Sequence, residues 1–468
     1  MLGRRGFIVA ALVAGLFAVL SAVLSAGATM EHAPVSAATT AVTAVRPCEG
    51  VGNIAAPSTS KLRYDIDLDL NTRTGGVRGR SVIRFTPDLD ITELVVRLWP
   101  NGGVRDATAP SMNIASTEVN AAVATFSQPD PTTVVIAVPG GVASGREVEL
   151  TLAWTLGVPG PRNDRLSRNS ASLRYGSFLP VLPWEPGVGW NRTPPTSGQA
   201  EASMTPTADW RVSVHLSTAK QIVATGTEDG HHTWTATGTR DWAMVVGTFK
   251  QVSAPIMLGQ HNVAVTVAVQ QGLSDDPSAY MARVMIALKL FSTLYGPYPW
   301  STYTLALTPG LKGGIEYPTL VMQGPGTIGR TTPHEVAHQW FYSLVGNDQG
   351  RDPWLDEGLA SWAESRAEAT LSTFQSRPLP ADATGHLGAP MAYWDAHRSS
   401  YYRGVYVQAV DALAALGPTT QVDCALQRYV ATNAYGVATP SDLVSALSDE
   451  FPNAIAVLTR YGVGVKQR

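Results

Sequence analysis

The sequence predicts an α+β protein of two domains, an all-β domain followed by a mixed, helix-rich one. Two patterns predict it. From residue 62 to about residue 250, apolar and polar residues alternate in short runs divided by turn clusters, the period of half-buried strands. From residue 280 onward the apolar spacing becomes three and four, the stripe of a helix packed on one face. Composition agrees: 468 residues, 44% apolar and 15% charged, suit a packed protein of two or three domains and exclude general disorder. A net charge of −3, with no Lys/Arg block beyond isolated pairs, argues against a nucleic-acid partner.

In chain order, residues 1–28 join Arg4 and Arg5 to an apolar run from Phe7 to about Leu24 and then to small residues, which is the form of an export signal. The arginine pair followed by Phe7 and Ile8 resembles a twin-arginine signal, with Ala26-Gly27-Ala28 as a cleavage site. A general secretory signal and an uncleaved membrane anchor are the alternatives, since the run is close to the ~20 residues that span a bilayer. All three place the globular part outside the cytoplasm. Residues 29–52, rich in Ala, Thr, Val and Pro, are expected to be a linker. Cys48 and Cys424 are the only cysteines; in an exported chain they are a candidate disulfide, two free thiols being the alternative.

Residues 53–252 are expected to form the β domain. Leu62, Tyr64, Ile66, Leu68 and Leu70 alternate with Arg63, Asp65, Asp67 and Asp69, and Val148 to Leu156 and Trp210 to Leu216 repeat the pattern. Residues 253–468 are expected to form the second domain. It opens with a strand on Val263, Val265, Val267 and Val269, followed by a helix whose stripe is Tyr280, Val284, Leu288, Phe291 and Tyr295. Thr439-Pro440-Ser441-Asp442 looks like a capped helix start.

The chemistry concentrates in TTPHEVAHQW, residues 331–340. On a helix His334 and His338 are about 400° apart, so both imidazoles leave one face and can reach one metal ion. Glu335 lies about 100° round, where a base can hold a water without ligating the metal. The competing explanation is structural: Thr332 with Glu335 could close a capping box. A catalytic zinc site commonly has three protein ligands, and Glu357 in DPWLDEGLASWAES is the third candidate. The 18 residues from 339 to 356 leave room for the first helix to end near Gly346, a turn at Asp352-Pro353 and a second helix. Glu364, seven residues after Glu357, projects from the same face and could accept a hydrogen bond from a ligand imidazole; a solvated carboxylate is the alternative.

H-E-x-x-H, 18 residues and then Glu-Gly resembles the signature of the gluzincin zinc aminopeptidases, the family of aminopeptidase N and leukotriene hydrolase. LKGGIEYPTLVM looks like that family's exopeptidase motif, G-x-M-E-N, with Gly313, Gly314, Ile315, Glu316 and Tyr317 in place. SSYYRGVYVQAV is similar to its Tyr-x-Lys-Gly segment, which puts the transition-state tyrosine on Tyr401 and Arg403 where lysine is usual. The resemblance runs from about Leu62 to the C-terminus. It implies a β-saddle-like domain followed by a thermolysin-like catalytic domain, in a short bacterial-type member without the large helical C-terminal domain and so with a more open cleft. Ile315 for Met and Tyr317 for Asn are expected to alter the wall of the first substrate pocket. Pro333 is expected to start or kink the zinc helix, and Asp356 stands where Asn is frequent. For the β-domain residue that assists amine binding, Gln199 and Glu201 are the candidates.

The resemblance thus implies a zinc-dependent aminopeptidase holding one zinc per chain on His334, His338 and Glu357. Glu335 would be general base for a metal-activated water, Tyr401 the oxyanion donor, and Glu316 the carboxylate that takes a free α-amino group; the alternatives are a buried aromatic at Tyr401 and a Glu316 that pairs with an internal arginine and only supports its loop. Gly313 and Gly314 would let the backbone pass close to the metal site. The expected partners are peptides with a free N-terminus. The competing functions are a zinc hydrolase of the same architecture with other specificity, and a silent binding protein; intact ligands plus Glu335 argue against the latter.

Overall fold

The computed structural model describes residues 48, 51–54, 62–103, 105–196 and 204–464. The expected export signal, most of the expected linker, Gln199 and Glu201 lie outside the described residues. Among the described residues no helix is long and apolar enough to cross a membrane.

The alternating runs become strands because each puts one row of side chains into a shared core. Leu62–Asn71 buries every odd member of its sequence, beginning with Leu62, and exposes the polar residues between them. It pairs antiparallel with Gly76–Phe85 and parallel with Ala208–Leu216, at the centre of an eight-stranded sheet. A four-stranded sheet has one face in each of two cores. Ala224, Met244 and Val246 belong to the core of the β domain, while Val223, Ala243 and Val245 join a second cluster with Ala268, Ala306, Tyr317 and Met322 from the next sheet. Period-two alternation thereby welds the two halves, and residues 46–468 form one compact unit.

The second sheet has five strands, in the order Phe249–Leu258, His261–Gln270, Thr302–Leu307, Leu320–Gln323, Gly314–Tyr317. Phe249–Leu258 pairs along its whole length with His261–Gln270. The expected division after residue 252 therefore falls inside a strand, one whose period is hidden by Pro255 and by its mostly exposed outer face. Helix α1, Pro277–Tyr295, makes the crossover between two parallel strands and buries the expected stripe. Asp276 caps it by accepting from Ser278 N. The capping box at Thr439 and Asp442 is present, starting the helix Pro440–Ser448. Cys48 and Cys424 are disulfide-bonded, with Cα atoms 5.4 Å apart, which ties the segment before the first strand to the helix Thr419–Asn433.

Candidate active site

Helix α2, Thr331–Ala337, carries the histidine motif and is pinned at both ends. Pro333 falls in its first turn, where a missing N–H costs little. Thr332 is buried and meets Gln323 Nε2 at 3.0 Å, so it does not form the capping box with Glu335. At the other end the buried Gln339 accepts from Thr319 N and donates to Tyr317 O, both at 2.9 Å. Those bonds fix the hairpin bearing Glu316 against the histidines. The helix does not run on to Gly346 as expected. Beyond Ala337 the backbone closes by bonds five residues apart, such as Ser343 N to His338 O at 2.9 Å. His338 explains the change: its Nδ1 faces Phe341 O at 3.1 Å, a carbonyl that an unbroken helix would bond to Val345 N.

Helix α3, Trp354–Glu368, lies alongside and is buried nearly all round. Its first turn brings in Asp356 and Glu357, and Glu364 follows two turns on. The three sequence-predicted ligands converge. His334 Nε2 is 3.1 Å from Glu357 Oε2 and 3.2 Å from His338 Nε2, which is 3.4 Å from the same Glu357 oxygen. A tetrahedral zinc with bonds of ~2.0–2.1 Å places neighbouring donors about 3.3 Å apart, so two imidazoles and a carboxylate at these separations fit that ion. Each imidazole is held from behind. His338 Nδ1 is 2.6 Å from Asp356 Oδ1, and His334 Nδ1 is 3.4 Å from Glu364 Oε2. Carboxylates behind metal-ligating imidazoles orient the rings when they accept from Nδ1.

Glu335 and Glu316 stand beside this triad. Both are buried, and their carboxylates and a His338 ring nitrogen lie within 4.8 Å of one another. A Cβ at Gly314 would run into the Glu335 carboxyl group, so this glycine is required for the close approach. Gly313 is not required in that way, since a Cβ there meets nothing within 4 Å. Tyr317 does not form a pocket wall either. It turns away from the cavity, with its hydroxyl 3.4 Å from Ser177 Oγ in the β domain.

A cavity of about 570 Å³ opens onto the triad, and Glu316, Glu335, Arg330, Tyr401 and Tyr406 all line it. Tyr401 precedes a π-helix, Tyr402–Val407, and its ring lies edge-on to Tyr406 at 5.7 Å. Gly404 follows because the Trp394 ring occupies the space of a Cβ. Tyr406 stacks on His334 with ring centroids 5.7 Å apart. Sequence reasoning missed Tyr406, Arg330 and the Asp356 contact; only the Asp in place of the usual Asn before Glu357 was visible as a signal.

The electrostatics suit a cation. Burial alone would lower both histidines, but hydrogen bonds to Glu357 and Glu364 outweigh it and raise His334 to about 10. Burial is likewise outweighed at His338, which Asp356, Glu316 and Glu357 raise well above its ordinary value. Burial pushes Glu357 up, yet the imidazoles hold it well below the usual carboxylate range. Burial pushes Glu335 up to about 7, against the pull of the same imidazoles. Both imidazoles are thus shifted toward their protonated forms in the metal-free protein, and a metal must displace the protons they hold. Affinity then rises with pH and falls as the solution is acidified. Calorimetry of zinc binding in buffers of different ionisation enthalpy should register a net release of protons; no proton release would show that the imidazoles are not the ligands.

Residues 297–386, which hold the triad, Glu335 and Glu316, match the peptidase family M1 domain. Over this stretch the chain is similar to peptidase family M1. Relatives include leukotriene A-4 hydrolase of Xenopus laevis, 33% identical over 105 residues, which are 20% of this chain and 17% of that protein. Aminopeptidase B of Rattus norvegicus is 34% identical over 86 residues, 17% of this chain and 13% of that one. The matching stretch thus spans less than a fifth of either relative. An M1 zinc metallopeptidase from Deinococcus radiodurans shares the fold over 89% of this chain and 98% of its own, with a TM-score of 0.62 at 20% identity. The β domain followed by a mixed, helix-containing domain is the two-domain M1 architecture.

Proposed function

We propose that this protein is a zinc-dependent aminopeptidase of the M1 type that removes N-terminal residues from peptides. One observation carries the reading: two imidazoles and a carboxylate at tetrahedral spacing, with two further buried carboxylates, Glu335 and Glu316, beside them. Zinc held by His334, His338 and Glu357 would polarise the scissile carbonyl and activate water at neutral pH. Glu335 takes the proton of the attacking water and returns it to the leaving amine. Tyr401 donates a hydrogen bond to the oxygen that becomes negative in the transition state. Glu316 supplies the negative charge that a free α-ammonium requires. A buried carboxylate is favoured beside a cation, and the substrate's N-terminus is a cation that Glu316, at the cavity wall, can meet. The D. radiodurans metallopeptidase in complex with a Tyr-Ser-Ala substrate supports peptides as the substrate class.

The zinc-loaded protein should hydrolyse aminoacyl p-nitroanilides, lose this activity to a chelator and regain it with zinc. No hydrolysis across a broad aminoacyl panel would overturn the proposal. Tyr401→Phe should cut kcat roughly 10²-fold, the equivalent of about 3 kcal/mol, with KM little changed, because the bond forms only in the transition state. Tyr402→Phe should cost less; the reverse order would move the role to Tyr402. The exported location read from residues 1–28 is part of the proposal. The disulfide between Cys48 and Cys424 supports it, since such bonds persist in oxidising compartments.

A further inference from the structure

Arg330 precedes His334 by one helical turn and bonds in two directions. Its Nε donates to Glu364 Oε1, while the other oxygen of that carboxylate faces His334 Nδ1 at 3.4 Å. Its Nη2 donates to Tyr402 Oη at 2.9 Å, and Arg377 Nη1 donates to the same oxygen at 2.6 Å. Both guanidinium groups lie over the ring of Phe374, at 5.1 and 5.2 Å. Tyr402 opens the π-helix immediately after Tyr401.

We propose that Arg330 is a positioning residue with two grips, one on the metal ligand His334 through Glu364 and one on the Tyr401 segment through Tyr402. The proposal rests on His334 being a metal ligand and on Tyr401 facing the reaction. Glu364 is nearly fully buried, with its side chain 4% exposed. The bond from Arg330 restrains the plane of this buried carboxylate, whose other oxygen stands 3.4 Å from His334 Nδ1, where it can orient the imidazole. Removing the guanidinium frees the carboxylate plane and the ring with it. An ordinary surface ion pair would contribute almost nothing, and the Arg330 side chain is 40% exposed. The difference is that Arg330 has three partners at once: the buried Glu364 carboxylate, the buried Phe374 ring and the more exposed Tyr402 hydroxyl. On helix α3 Glu364 lies below the ligand Glu357, so Arg330 joins α2, α3 and the π-helix at one point.

The two grips separate by mutation. Zinc affinity is measured by competition with a chelator of known affinity, which needs no turnover, and kcat and KM are measured on the zinc-saturated protein. Arg330→Gln should weaken zinc binding roughly 10-fold or more, the scale for loss of an outer partner of a ligand, and lower kcat at unchanged KM. Arg330→Lys keeps a cation for Glu364 but not the second arm, and Tyr402→Phe removes only that arm. Both should retain zinc affinity within about twofold and lose kcat by a similar modest factor. Zinc affinity of Arg330→Gln equal to wild type would overturn the first grip. Unchanged kcat in Tyr402→Phe would overturn the second. A raised KM with zinc affinity and kcat intact would make Arg330 a substrate contact and overturn both. If the wild type bound zinc but cleaved no aminoacyl substrate, the proposed activity would fail while the affinity arm still read the first grip.

Discussion

Glu335→Gln should bind zinc as tightly as the wild type and turn over its substrate roughly 10²–10⁴-fold more slowly. The amide has the size and shape of the carboxylate, so the packing of Gly314 against this side chain is kept. None of the three donors is touched. What goes is the carboxylate proposed to accept the proton of the attacking water. Glu335 Oε2 is buried without a protein hydrogen-bond partner, and in the metal-free protein burial raises its pKa to about 7. Zinc analysis and kcat on the same preparation check both halves. Near-normal turnover with full zinc would remove Glu335 from the mechanism, and lost zinc would make it a ligand.

Glu357→Ala should lose the metal itself. The neighbours of the ligands, Asp356 and Glu364, tune affinity by the 10–100-fold expected of outer partners, whereas Glu357 is the only anionic donor in the triad. Its loss leaves two imidazoles facing each other at 3.2 Å with the carboxylate that bonded both of them gone. The expected result is substoichiometric zinc after gel filtration and no measurable activity, with the fold preserved by the apolar residues that bury α3. One zinc retained per chain would take Glu357 out of the ligand set.

How much of this was legible in the sequence depended on the range of the interaction. The strand Leu62–Asn71 and the helix Pro277–Tyr295 were readable because one face of each meets a core and writes its period into the residues. Phe249–Leu258 was not, because it runs at the edge of its sheet with few buried side chains. In the site, His334, Glu335 and His338 follow from helical geometry alone, and Glu357 from the length needed to reach a second helix. Arg330 and Tyr402 are 72 residues apart, Arg330 and Glu364 are 34 apart, and no local pattern marks such pairs. Tyr317 was misplaced for a related reason. The motif shows which residue follows Glu316, but only the strand's pairing and the packing at Ser177 decide which way it faces.

The α-ammonium of the substrate is the centre of the account, because it separates an aminopeptidase from any other zinc peptidase on this fold. Glu316→Ala should raise KM and cut kcat/KM for substrates with a free N-terminus while leaving zinc in place, but an effect of that kind also follows from a disturbed loop. The direct measurement uses the wild-type, zinc-loaded protein and pairs of peptides that differ only in N-acetylation. The free peptides should be cleaved after their first residue, and the acetylated ones, which carry no charge for Glu316 to meet, should fall by roughly 100-fold or more in kcat/KM, a loss of about 3 kcal/mol. Equal cleavage of both, or cleavage within the acetylated chain, would contradict the account and make the protein an endopeptidase.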